Sequence, residues 1–104
     1  MTKPFVVLDA AERDLEAAED GYDAQARGLG DDFLHEVDEA LERIGSFPEM
    51  YPVVFAGVRR AILRRFPFNV VYRIRTSAID IIGVLPCRAD PQILAERATH
   101  LGRQ

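Results

Sequence analysis

Val58-Arg59-Arg60-Ala61-Ile62-Leu63-Arg64-Arg65-Phe66-Pro67-Phe68-Asn69-Val70-Val71-Tyr72-Arg73-Ile74-Arg75 is followed, after Thr76-Ser77-Ala78, by Ile79-Asp80-Ile81-Ile82-Gly83-Val84-Leu85. This stretch decides the fold. It is dense in β-branched and aromatic residues and is cut by Pro67 and by the polar Thr76-Ser77-Ala78 segment. Three strands are therefore predicted, Val58–Phe66, Asn69–Arg75 and Ile79–Leu85, joined as successive hairpins in an antiparallel meander. Within the second run, Val70, Tyr72 and Ile74 share one face, and Val71, Arg73 and Arg75 share the other.

Upstream the texture changes to a helical period. Ala11, Leu15, Ala18 and Tyr22 recur at spacings of four, three and four, which is one face of a helix. Asp9 three residues before Glu12 suggests a variant capping box, and Gly21 is a point where this helix bends or ends. Gly28-Leu29-Gly30 interrupts the pattern, and Asp31-Asp32 place two anions at the positive end of a second helix. Phe33, Val37, Leu41 and Ile44 form its stripe, widened by Leu34 and Ala40, until Phe47-Pro48 stops it. Together these make an αα-hairpin. Pro4–Leu8 reads as a short first strand, Pro48–Pro52 as a connector, and Pro91–Arg97 as a last short helix with Asp90 as its N-cap.

The predicted order is thus β-α-α-β-β-β with a short C-terminal helix. That is an α+β architecture, a helical hairpin packed on one face of a small antiparallel sheet, with the other face left for function. At 104 residues the chain is read as one domain spanning 1–104. Hydrophobic residues make up 48% and charged residues 29%, which excludes disorder. With no long apolar run, no membrane segment is expected, and the single cysteine allows no internal disulfide; the expected location is the cytoplasm.

The net charge of −4 conceals a division. Residues 1–52 carry four Lys/Arg against fourteen Asp/Glu, whereas residues 53–104 carry nine Arg against three acids. Arg60, Arg64, Arg73, Arg75 and Arg88 are the candidates for a cationic surface that meets an acidic partner or nucleic acid. Arg60 and Arg64, four apart on one predicted strand, are expected to project from the same side. Arginine supplies fixed bidentate donors for carboxylate or phosphate. Tyr72 is expected in the core with its hydroxyl at the edge. Cys87, with no histidine nearby in sequence, is expected to be a buried structural thiol. No metal-ligand spacing, phosphate loop or Ser/His/Asp set appears, so no metal or cofactor is expected.

Several segments, taken in this order and spacing, resemble the RelE/ParE superfamily over nearly the whole chain. They are Asp14-Leu15, Tyr22, Gly28–Phe33, Pro48–Pro52, Arg59–Ile74, Val84-Leu85 and Arg88-Ala89-Asp90-Pro91. The resemblance implies the toxin of a bacterial type II toxin–antitoxin (plasmid stabilisation) system with a cognate antitoxin. Its ParE branch implies non-covalent inhibition of DNA gyrase. Two alternatives stand beside it: a RelE-type endonuclease acting on ribosome-bound mRNA, and a non-toxic antitoxin-binding module. Pro86 stands where relatives often carry a histidine, and Ala89 where they carry an arginine. His35 and His100 are the only histidines available for proton transfer.

Overall fold

The computed structural model describes residues 3–99. Its elements are β1 (Phe5–Val7), α1 (Asp9–Gln25), α2 (Leu29–Ser46), β2 (Val53–Phe55), β3 (Val58–Ile62), β4 (Phe68–Ile74), β5 (Ile79–Pro86) and α3 (Pro91–Thr99). The strands form one sheet in the order β1-β5-β4-β3-β2.

The α+β architecture is present, but the sheet is mixed. β2 to β5 pair antiparallel, as short turns require, while β1 runs parallel to β5 with Phe5 beside Ile79. A strand tied to the rest through a helical crossover is not bound by a tight turn to antiparallel pairing. β2 is a further strand, lying between the Pro48–Pro52 connector and the first predicted run, where no element was expected. It turns back into β3 through Ala56 (φ 46°) and Gly57 (φ 78°).

α1 and α2 lie on one face of the sheet. Ala11, Phe33, Val37, Ala40 and Ile44 are buried against Val70, Tyr72, Ile79, Ile81 and Val84, with Leu15, Ala18 and Tyr22 packed alongside. At one end of this core Tyr22, Phe33 and Phe66 pack ring against ring at centroid distances of 4.9–5.4 Å. Such tilted and edge-to-face pairs add to the area they bury.

α1 runs through Gly21 without ending, and its start is not a capping box. Leu8 occupies the cap position; its N–H donates to Ile81 O (3.0 Å) and its carbonyl accepts Glu12 N–H (3.0 Å). Asp9 and Glu12 instead place negative charge in the first turn, where the helix dipole favours it. Between the helices Gly28 adopts φ 86°, a region costly for a side chain. Gly30 allows close approach: a Cβ there would sit 2.6 Å from Glu19 O. Its N–H donates to Asp23 Oδ1 at 2.8 Å.

The sheet's second face is not bare. α3 crosses it, and Leu8, Ala89, Leu94 and Ala98 cover a second cluster of Val58, Val71, Ile82 and Leu85. The expectation of a wholly open face is therefore corrected. Isolated inward residues of this kind on α3 need burial, and the apolar side chains of β3 to β5 supply it.

Candidate functional site

Alternation along β4 puts Arg73 on the α3 side, Arg75 follows one residue past the strand's end, and the β4–β5 register sets Arg73 opposite Asp80. Asp80 is 3% exposed and accepts from both arginines. Arg75 Nε donates to Oδ2 at 2.7 Å and Nη2 to Oδ1 at 2.8 Å, while Arg73 Nη2 donates to Oδ2 at 2.8 Å. A carboxylate this buried is tolerated because it is paired. The Arg75 hydrogen bonds outweigh the burial that opposes them; with Arg73 they hold the Asp80 carboxyl below its ordinary range. Arg73 Nε is buried without a hydrogen-bond partner among the described residues. Lys3 Nζ donates to Arg75 O (2.8 Å), adding a further cation beside the pair.

Arg60 lies on the same face. It pairs with Val71 across β3–β4, two residues along from the Val58–Arg73 pair, which makes Arg60 and Arg73 diagonal neighbours. Beside Arg60 is a cavity of about 130 Å³, bordered by Asn69, Val71, Leu85, Cys87, Asp90 and Leu94. Cys87 is exposed, not buried as its sequence context suggested. β5 ends at Pro86, so Cys87 falls in the following turn, outside the packed sheet.

Arg64 does not join this surface. β3 ends at Ile62; Leu63 enters the main core, and the chain bends toward α2. There Glu36, 8% exposed, accepts the backbone N–H groups of both Arg64 and Arg65. That carboxylate ends the strand alternation on which a shared Arg60–Arg64 side depended. Arg64 lines a groove of about 280 Å³ with Asp32, His35, Glu39 and Arg43 on the helical side. Arg88 is exposed in the β5–α3 turn. The structure thus gathers Arg60, Arg73 and Arg75 on one face, with Arg88 on the adjoining turn and Arg64 elsewhere.

Sequence reading missed the pair that fastens α3. β1 covers the outer edge of β5 only from Ile79 to Ile81. Past it, Asp14 Oδ2 accepts Val84 N–H (3.0 Å), and Arg97 Nη1 donates to Ile82 O (3.0 Å). The two side chains also form a bidentate pair, both bonds 2.8 Å. One ion pair therefore seals the open strand edge and ties α1 to α3. Arg59 was missed similarly: its Nη1 donates to Tyr51 O (2.6 Å) and Glu49 O (3.1 Å), pinning the α2–β2 connector.

The expectations for Tyr72 and for Asp90 are met. Tyr72 is fully buried, and its hydroxyl donates to Pro48 O at 2.6 Å. Burial pushes its pKa up to about 12, against the lowering influence of Arg59. Asp90 Oδ1 accepts Gln92 N–H (2.9 Å), as an N-cap does. His35 is exposed on α2 beside Arg64, on the opposite side of the sheet from Arg73 and Arg75. His100 lies outside the described residues. No His, Cys, Asp and Glu group suited to a metal occurs among the described residues, and no helix there is long and apolar enough to cross a membrane.

The family model described as ParE toxin of type II toxin-antitoxin system, parDE, matches residues 5–91. Among solved structures, the chromosomal ParDE TA system from P. aeruginosa superposes with a TM-score of 0.73 at 20% identity, covering 82% of this chain and 96% of that one. A mutant of the E. coli toxin RelE in the free state gives 0.69 at 13% identity, covering 97% and 99%. At these identities the likeness is one of fold. No curated protein matches the sequence significantly.

Proposed function

The chain belongs to the family of ParE toxins of type II toxin–antitoxin systems, and on that premise we propose that it inhibits DNA gyrase by non-covalent binding and is neutralised by a cognate antitoxin. The observation that carries the gyrase reading is the match to the ParE model across residues 5–91. The geometry of the cationic face supports it. Two arginines anchored on one buried carboxylate form a surface whose side-chain order is already set before docking. Such preorganisation reduces the entropy lost on association, and its charge steers an acidic partner. Arg60, Arg73, Arg75 and Arg88 are the target-contacting residues in this reading. Arg64 stands on the helical side and contributes less.

RelE-type chemistry needs a proton-transfer group beside the phosphate-binding cations. His35 is on the far side of the sheet from Arg73 and Arg75, and Pro86 replaces the histidine that relatives often carry.

Expression without antitoxin tests the choice in cells. Plasmid topoisomers should lose negative supercoiling while message 5′ ends stay unchanged. Codon-positioned breaks in messages with normal plasmid topology would replace gyrase with the ribosome as target.

A further inference from the structure

We propose, resting on the gyrase reading for the identity of the partner, that Arg73 exchanges its bond to Asp80 for a carboxylate presented by an amphipathic helix of the partner protein, while Arg75 keeps Asp80 paired. The two arginines hold Asp80 unequally. Arg75 grips both carboxylate oxygens, Nε on Oδ2 and Nη2 on Oδ1, whereas Arg73 reaches Oδ2 alone, through Nη2. Arg75 by itself therefore satisfies Asp80 side-on. Among the described residues, Arg73 Nε is the one buried side-chain nitrogen or oxygen left without a hydrogen-bond partner. An unpaired buried donor is costly, so turning this guanidinium outward onto a second carboxylate relieves a cost that the unbound chain carries.

A row of paired residues crosses the whole sheet at this level. Val6 pairs with Asp80, Asp80 with Arg73, Arg73 with Val58 and Val58 with Phe55. Directly opposed residues share a face, so all five stand on the side that α3 occupies. α3 packs on the cluster that includes Val58, but Val6 remains 40% and Phe55 43% exposed. Arg73 is thus a cation midway between two exposed apolar side chains, each two strands, or about 10 Å, away.

A chain lying across the strands finds no backbone partners on the face of a sheet, so a helix, which satisfies its own backbone, is the form that fits. α3 already packs on this face in that form. At a rise of about 1.5 Å per residue, an acid on the helix with apolar residues about seven positions before and after it matches the row. The apolar ends favour a protein over a nucleic acid, whose phosphate backbone offers nothing to Val6 or Phe55. The net charge of −4 also repels a polyanion.

Titration of the full chain with two peptides tests this without gyrase. The probe is a helical peptide of about 17 residues with a central Glu and a Leu about seven positions to either side; its twin carries Gln at the centre. The wild type should bind the Glu peptide about tenfold tighter than the twin, the weight of one charged hydrogen bond. The Arg73 Nε–Hε resonance should shift with the Glu peptide and not with the twin. Arg73→Ala should bind both peptides equally, at the wild type's affinity for the twin, which also reports that the face is folded. Equal affinity of the wild type for the two peptides, a preference that survives Arg73→Ala, or an unmoved Arg73 resonance overturns the proposal. So does the same resonance shift produced by a DNA duplex, which would make the acceptor a phosphate. Because gyrase is absent from the titration, a failed supercoiling assay removes the identity of the partner and not the carboxylate exchange.

Discussion

Asp80 carries two guanidinium groups on one nearly buried carboxylate, and the cationic face depends on it. Because its folded pKa lies below the unfolded value, its stabilisation is complete above the ordinary carboxylate range and is lost as pH falls through the folded value. Asp80→Asn should therefore melt lower at neutral pH and show a shallower loss of stability on acidification, measured by circular dichroism between pH 7 and acid. The arginines differ by place. Arg60→Glu should weaken target inhibition by about tenfold or more, through both encounter and contact. Arg64→Glu, on the helical side, should change it no more than about twofold, the scale of an ordinary exposed substitution. Equal loss in the two variants, both folded, would show that the α3 face is not the contact surface. No residue pattern near Arg64 announced this difference. Leu63 prolongs the apolar run past Ile62, and the Glu36 carboxylate that bends the chain is 28 residues away in sequence.

At the scale of elements, the helical hairpin was legible because its two stripes keep the helical period over several turns. β3, β4 and β5 were legible from β-branched runs between turn residues. β2 was not, since Val53–Phe55 is too short to show alternation and Ala56, at φ 46°, is a residue that seldom opens a tight hairpin turn. The parallel β1 and the placement of α3 over the second face depend on long-range contacts, above all Asp14–Arg97, 83 residues apart. Removing that link should show its weight. Asp14→Ala leaves the Val84 N–H and a half-buried Arg97 without their acceptor, at a cost of about 1–3 kcal/mol. For a domain of this size that lowers the melting temperature by about 4–8 °C per kcal/mol. Faster amide exchange at Val84 and across α3 should accompany it. Unchanged melting and exchange would mean that α3 is held by its apolar contacts alone.

At the scale of the whole molecule, the charge division becomes an arrangement in space. α1 and α2 present most of the acids on one side of the sheet, and Arg60, Arg73 and Arg75 lie on the other. Phe47, Met50, Val53 and Phe55 add exposed apolar surface around the edge strand β2. Surface of this kind is covered when a disordered partner segment folds onto it. Co-expression with a cognate antitoxin should accordingly yield a complex stable through size exclusion, whereas the toxin alone should aggregate or express poorly. Recovery of free, monodisperse toxin beside its co-expressed partner would oppose antitoxin binding. The gyrase reading is tested most directly by supercoiling of relaxed plasmid with purified gyrase, titrated with toxin released from its antitoxin. Dose-dependent inhibition that returned antitoxin reverses is the expected result. Full supercoiling activity at saturating, folded toxin would contradict it.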